Sequence, residues 1–387
     1  MTIAVFAFWC SVSLALYAYF GYPCALMLLS VFRSRPVKKA ANGLAIHRVS
    51  FIITAHNEQR RIREKIENTL AQDYPARLLE IIVASDCSSD GTDDLVRSYG
   101  DRVVLVRAAE RKGKEAAQQL AIASASGEIL VFSDVATALA PDGVSAIVAN
   151  FVDPTVGCVS SVDRVVDADG RVNGEGAYVR YEMFLRALET RVNSLVGLSG
   201  SFFAARSDVC RRWATDRPSD FSTLLNAVAM GLRGVLDPDA AGYYRTIVDD
   251  RREADRKVRT VVRGIGVLTR NLSMLNPFTH GLFAWQLASH KLARWLIPFA
   301  MIAAFVSSAA LAVRSSFYAA ALGVQLAFYA AAIGGLWVKA PALRLPTFLL
   351  RANLAVLKAW MRFACGDRMV LWSPSERLAA LPDAAGR

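Results

Sequence analysis

Residues 1–32 contain no charged side chain. Two more uncharged stretches lie far downstream, Trp295–Val313 between Arg294 and Arg314, and Ser315–Val338 between Arg314 and Lys339. A bilayer core of ~30 Å needs roughly 20 such residues wound as helix. Spans are therefore expected at about 5–30, 295–313 and 317–338, with buried core helices as the alternative. The first stretch is too long for a secretory signal and has no basic lead-in.

The charges outside these stretches are uneven. Lys and Arg number 45 against 34 Asp and Glu, a formal net charge of +11. Arg33, Arg35, Lys38 and Lys39 follow the first stretch, Lys291 and Arg294 precede the second, and Lys339 and Arg344 follow the third. Only Arg314 falls in the short connection between the last two. By the positive-inside rule the N-terminus lies outside and the central segment is cytoplasmic, in an integral protein of the inner, cytoplasmic membrane. Lipid contact then accounts for much of the +11. No basic stripe with interleaved aromatics is present, which argues against a nucleic-acid partner. In 343–365, Arg344, Arg351, Lys358 and Arg362 share one helix face opposite Leu345, Phe348, Val356 and Phe363, which favours an interfacial helix over a fourth span. Gly281–Leu292 is expected to do the same. Six scattered cysteines without a CxxC pair argue against zinc and disulfides. The resulting division is a span at 1–32, a cytoplasmic domain at 36–265, interfacial helices at 266–293, two spans at 294–340, and an amphipathic helix and tail at 341–387.

The central segment opens in a strand–helix rhythm. Val49–Ala55, Leu79–Ala84, Val103–Val106 and Glu128–Phe132 read as strands, and Lys114–Ala125 as a helix. This alternation implies an α/β fold with a mainly parallel sheet covered on both faces. Ligands bind beyond the carboxyl ends of such strands. His56-Asn57-Glu58, Asp86 and Asp134 all fall there. Each alone is an ordinary turn residue; three on one rim point to a site.

The segment resembles the family 2 glycosyltransferases, GT-A fold enzymes that include chitin, cellulose and hyaluronan synthases. The resemblance rests on Ala55-His-Asn-Glu58, Gln72-Asp-Tyr-Pro75, Ser85-Asp-Cys-Ser-Ser-Asp-Gly-Thr92, Gly113-Lys114, Phe132-Ser-Asp134, Gly200-Ser-Phe-Phe-Ala204, Ser219-Asp-Phe221, and Arg256-Lys-Val-Arg259 before Arg263-Gly264. They stand in the family's order over roughly 50–265. Trp372-Ser-Pro-Ser-Glu-Arg377 and the apolar stretches resemble its membrane-bound bacterial branch.

The resemblance implies an inverting, in-line transfer from a nucleotide sugar. Charge building on the departing diphosphate calls for basic side chains and a divalent cation, Mg²⁺ or Mn²⁺. The attacking hydroxyl calls for a general base. By resemblance, Ala55, Asn57 and Glu58 frame the nucleobase and ribose, and Asp86 accepts a hydrogen bond from the base. Asp90 caps the next helix. Lys114 approaches the base or the phosphates, a solvated lysine being its alternative. Asp134 is the first aspartate of the DxD motif and the metal ligand. Asp220 is the catalytic base, with a helix N-cap as its alternative. Arg256, Arg259 and Arg263 share a helix face and clamp the diphosphate, or meet lipid headgroups.

Three positions depart from the family's pattern. Ala136 stands where DxD normally places its direct metal ligand, leaving Asp134, Thr137 and the phosphates. Ser219 stands where a second acid precedes the base. Thr260 replaces the tryptophan that stacks on the acceptor sugar in processive synthases. The expected activity is transfer of one or a few sugars, most simply from a UDP-sugar, to a lipid-linked or growing glycan at the membrane, for polysaccharide or glycoconjugate biosynthesis. The alternatives are a processive synthase and a non-catalytic membrane scaffold that keeps the fold.

Overall fold

The computed structural model describes residues 2–40, 47–166, 177–245, 250–338 and 340–369. The motif at 372–377 lies outside them. The described chain divides into two compact units, one built on Leu29–Arg252 and one on residues 2–28 with 253–368.

The first unit is organised by one sheet. Its strands are β1 (Val49–Ala55), β2 (Leu79–Ser85), β3 (Val104–Arg107), β4 (Ile129–Asp134), β5 (Ala138–Leu139), β6 (Val156–Val166), β7 (Phe202–Arg206) and β8 (Arg233–Arg245), in the order β3-β2-β1-β4-β7-β6-β8-β5. The pairings β1–β2, β1–β4, β2–β3 and β6–β8 are parallel, while β7 runs antiparallel to β4 and β6. The expected α/β fold with a mainly parallel sheet is therefore present. Every residue of β1 is buried. That explains its unbroken apolar run, because a central parallel strand is covered on both faces. One face packs Phe51, Ile53, Val83, Val131 and Phe202 against Ile62 and Ile66 of the helix Ile62–Leu70. On the other, Phe132 stacks between Phe203 and Trp213 at 4.8 and 5.0 Å.

Register places the polar residues. Thr54 pairs with Asp134 and Ala55 with Ser85. So β1, β2 and β4 end level, and His56, Asp86 and Asp134 emerge on one rim.

The basic residues after the first apolar stretch have protein partners. The Arg35 backbone N–H donates to the Arg191 carbonyl at 2.8 Å, and the Arg33 side chain to that of Val192 at 3.3 Å. Both carbonyls end the helix Ala177–Val192, where its dipole favours cations. Lys39 pairs with Asp237 and Asp239 at 2.7 and 2.8 Å. Read from the sequence as orientation signals, Arg33, Arg35 and Lys39 also strap the chain to this unit.

The second unit is helical. Thr2–Phe32, Leu282–Ala312 and Ser316–Gly334 are long and apolar enough to cross a membrane. Leu282–Ala312 begins thirteen residues before the expected span and is continuous through Lys291 and Arg294. Arg294 lies over the Tyr19 ring, 5.8 Å from its centroid, so its charge does not end the helix. Each of the two longer helices contains one π turn, Tyr17–Gly21 and Ala288–Leu292. The turns meet through Tyr17, which accepts from Trp285 Nε1 at 2.8 Å and shares a 2.7 Å hydrogen bond with Ser289.

Pro341–Ala364 is an amphipathic helix. The hydroxyl of Thr347 bonds the Ala332 carbonyl, and Trp360 Nε1 bonds the Trp295 carbonyl. Thr347 and Trp360 are 13 residues, ~20 Å, apart. Ala332 lies near the end of the helix Ser316–Gly334, and Trp295 lies far from the turn that joins that helix to Leu282–Ala312. Both anchors therefore belong to the same end of the hairpin, and this helix crosses that end instead of running beside it.

Gly127, just before β4, packs directly against the β1 backbone. A Cβ there would lie 2.4 Å from the Ser50 backbone nitrogen. Gly127→Ala should cost about 1–3 kcal/mol, the range for overpacking, measured by thermal or urea unfolding. An unchanged midpoint would show that this contact opens freely.

Candidate active site

The site grows from the β4 terminus. Asp134 ends the strand, its backbone N–H held by the Ser201 carbonyl at 3.0 Å. Its Oδ1 accepts from Lys114 Nζ at 2.5 Å. The same ammonium donates to the Gly200 carbonyl at 3.0 Å. Gly200 in turn faces Asp220, whose Oδ2 would lie 3.3 Å from a Cβ at position 200. Thus Asp134, Lys114, Gly200 and Asp220 follow one another as neighbours, and a side chain at position 200 would press on the Asp220 carboxylate. Lys114 is buried and paired, so the solvated alternative does not hold.

Asp220 lies in the first turn of the helix Ser219–Ala229 and accepts from the Phe221 N–H at 2.9 Å. Pro218, not Asp220, occupies the cap position.

Asp86 is buried at the end of β2. It accepts the backbone N–H groups of Lys112 and Gly113 at 2.9 and 3.1 Å. Gly113 has φ 99°, a conformation that favours glycine. Asp86 is thereby joined to Lys114 through one short turn. The Asp86 carbonyl accepts from His56 Nδ1 at 2.7 Å. Asn57, at φ 54°, accepts the Ser89 N–H at 2.8 Å. Ala55 is buried at the end of β1. Glu58 is buried and paired with Arg61 at 2.7 Å; burial raises its pKa and Arg61 opposes the rise. Asp90 accepts the Thr92 N–H at 3.0 Å from one residue before the cap position, which Gly91 and not Asp90 occupies.

Arg256, Arg259 and Arg263 lie on the helix Asp250–Arg270, in the second unit. The Thr260 hydroxyl, at the tryptophan position, bonds back to the Arg256 carbonyl at 2.9 Å.

Three important residues were not found in the sequence. Asp163, on β6, accepts from the hydroxyls of Ser199 and Ser201 on either side of Gly200, at 2.7 Å from Ser199. Arg186 donates to Ser160 Oγ at 2.6 Å and the Gly197 carbonyl at 3.2 Å. Burial lowers its pKa, against the pull of Asp163, Glu189, Glu182 and Asp220. Lys65 is buried beneath β4 and donates to Ser133 Oγ at 2.8 Å and the Thr137 carbonyl at 2.6 Å. A helical lysine on the face of Ile62 and Ile66 was the available signal.

For a metal, the donor set is thin. Among the described residues no cluster of three His, Cys, Asp or Glu side chains could hold an ion. Thr137 is buried with its methyl toward Gly242, and Ala136 offers no ligand. Asp134 alone fits a cation that takes most of its oxygens from phosphates and water, a mode that Mg²⁺ accepts.

Residues 50–213 match the profile of Glycosyl transferase family 2. That stretch is therefore similar to a family 2 glycosyltransferase domain. It is 29% identical over 134 residues to the probable glycosyltransferase YdaM of Bacillus subtilis, covering 33% of this chain and 32% of that protein. It is 26% identical over 212 residues to the succinoglycan biosynthesis protein ExoO of Rhizobium meliloti, covering 51% and 60%. The matches thus span from a third to three fifths of these relatives. The mannosyltransferase PcManGT of Pyrobaculum calidifontis, solved in complex with GDP-Man and Mn²⁺, superposes with a TM-score of 0.72 at 24% identity, covering 92% of this chain and 97% of that one. That likeness gives the GT-A type of fold.

Burial pulls the Lys65 ammonium down to about 7 from its usual 10.5, with Asp134 opposing. Between those values the unfolded chain holds a proton that the folded chain lacks, so stability rises with pH across the window. Lys65→Met removes this dependence. The melting temperature of the variant minus that of the wild type should fall as pH rises from about 7 toward 10. A pH-independent difference would show that Lys65 does not titrate there.

Proposed function

We propose that this protein transfers a sugar, with inversion, from a nucleotide sugar to a lipid-linked or growing glycan at the cytoplasmic face of a membrane. A UDP-sugar is the donor, and one or a few sugars are added. The observation that carries the reading is the path from Asp134 through Lys114 and Gly200 to Asp220. It joins a cation-bearing phosphate end to a carboxylate base across a single loop. The similarity to a family 2 domain supports it, as does the role in succinoglycan biosynthesis that the name of ExoO states for that relative.

In this reading Asp86, Ala55, Asn57 and Glu58 hold the nucleoside. The Lys114 ammonium meets the diphosphate beside Asp134 and offsets its charge as it leaves. Asp134 would hold Mg²⁺ or Mn²⁺, which when bound neutralises phosphate charge as a Lewis acid. Asp220 takes the proton of the attacking hydroxyl. Asp163 holds Ser199 and Ser201, and through them the loop that the base faces. Arg256, Arg259 and Arg263 serve the diphosphate or lipid headgroups. Thr260, lacking an aromatic face, favours short over processive addition.

Two experiments test this reading. Purified protein with UDP- and GDP-sugars and membrane lipid should release the nucleoside diphosphate. Asp220→Asn should lower turnover by ~10²–10⁴, the range for general base catalysis, with nucleotide affinity nearly unchanged. Near-normal turnover removes Asp220 from the mechanism, and absence of nucleotide binding in the wild type favours the scaffold.

The second concerns the membrane face. In a cysteine-free background, a cysteine at Ser315 should react with an impermeant reagent in intact cells, and one at Asp101 only after permeabilisation. The reverse pattern inverts the topology.

A further inference from the structure

Lys65, Asn68 and Gln72 occupy one face of the helix Ile62–Leu70 and its C-terminal extension, and all three grip the chain that follows β4. Asn68 exchanges two hydrogen bonds with the backbone of Leu139, both 2.9 Å. Gln72 donates to the Ala140 carbonyl at 2.9 Å and accepts the Val144 N–H at 3.0 Å. Lys65 takes the rung nearest the site, reaching Ser133 Oγ and the Thr137 carbonyl. Two rungs use neutral amides. The third uses an ammonium, buried over the Phe51 ring at 5.2 Å, where a charge is expensive to desolvate.

We infer that Lys65 is a positioning residue for the diphosphate end of the site, clamping both ends of Ser133-Asp-Val-Ala-Thr137 so that Asp134 is presented in one geometry. The inference rests on the reading of Asp134 as the carboxylate that meets the cation and diphosphate. The segment is closed within itself by the Thr137 N–H on the Asp134 carbonyl at 3.1 Å. Ser201 holds the Asp134 N–H from β7's side. Lys65 holds the residues before and after the turn from below. With Ala136 in place of a second acid, one carboxylate must do all the orienting, so its backbone cannot be loose. The helix that carries Lys65 follows directly on Asn57 and Glu58, so one rigid element registers the nucleoside loop against the phosphate turn.

The sign of the effect separates positioning from charge. Removing a buried cation next to Asp134 would, by charge alone, tighten binding of a second cation. Loss of positioning would weaken it. The test is the affinity of the full-length protein in detergent for UDP and GDP, each with and without Mn²⁺, by calorimetry, alongside thermal melting. The ratio of the two affinities reads the coupling between nucleotide and metal.

Lys65→Met should keep or raise the melting temperature near pH 7 and cut that ratio ~10-fold or more, the scale for residues that orient a metal ligand. Metal-free nucleotide affinity should change little. Ser133→Ala, which removes one of the two partners, should cut the ratio in part; it decides the matter if Lys65→Met does not fold. Asn68→Ala, on the neighbouring rung, should lower the melting temperature and leave the ratio alone. An unchanged or increased ratio in Lys65→Met, or equal losses in the Asn68 and Lys65 variants, overturns the inference. If the wild type has a ratio that Asp134→Asn abolishes and Lys65→Met preserves, only the inference fails. If the wild type binds nucleotide with no metal dependence at all, the reading of Asp134 fails and takes the inference with it.

Discussion

The Lys114 ammonium joins three separate pieces of chain: the glycine turn at 112–114, the end of β4 at Asp134 and the loop at Gly200. None of these lies near another in sequence. Asp86 fixes the turn from the other side by holding the N–H groups of Lys112 and Gly113. The aspartate at the end of β2 and the one at the end of β4 are thereby linked through two adjacent residues and one side chain. The level ends of β1, β2 and β4 make this possible, because parallel register puts their carboxyl termini on one rim. A rigid sheet thus supplies the position and a short turn supplies the donors.

The parts of the site that could be read in the sequence are those written locally. Asp86 and Asp134 terminate apolar runs, Gly113 precedes a helix, and Asp220 follows a proline at a helix start. Lys65, Asp163 and Arg186 could not be read this way. The Thr137 carbonyl is 72 residues from Lys65, and Ser199 is 36 from Asp163. No local period marks such partners. Gln72 was visible as part of a motif, yet its work, binding the backbone at Ala140 and Val144, depends on a strand still to come. In the fold, strand positions were legible because a covered parallel sheet needs unbroken apolar runs. The start of the helix Leu282–Ala312 was not. Lys291 and Arg294 interrupt the hydropathy but not the backbone, and Arg294 rests on an aromatic face.

The apolar helices carry their own specificity in a few polar atoms. Packing among aliphatic side chains alone distinguishes poorly between registers in a lipid setting, where small and polar residues carry more of the specificity. Here Tyr17, Trp285 and Ser289 meet where both long helices widen into a π turn, and Gln325 donates to Ser308 across the next pair at 2.9 Å. These contacts fix which turn faces which. Gly335 adds a steric condition, since Thr347 and the Leu343 carbonyl approach too closely for any side chain there. The helix crossing the hairpin end is thus seated by a glycine and two side-chain bonds.

The charge balance around Asp134 bears on what the turn is built to receive. An acidic pair would attract a free cation; here one carboxylate lies against the Lys114 ammonium with Lys65 behind it. Two amine groups beside one carboxylate make a site that is neutral to positive, depending on the protonation of Lys65. Such a site has little reason to collect a divalent cation by itself, and good reason to collect a diphosphate. A cation entering with a diphosphate would have Asp134 as its protein oxygen ligand, within the coordination habits of Mg²⁺. Ala136 is then compatible with the rest of the turn: a second carboxylate at that position would draw cations in advance of a nucleotide and compete with Asp134 for the Lys114 ammonium.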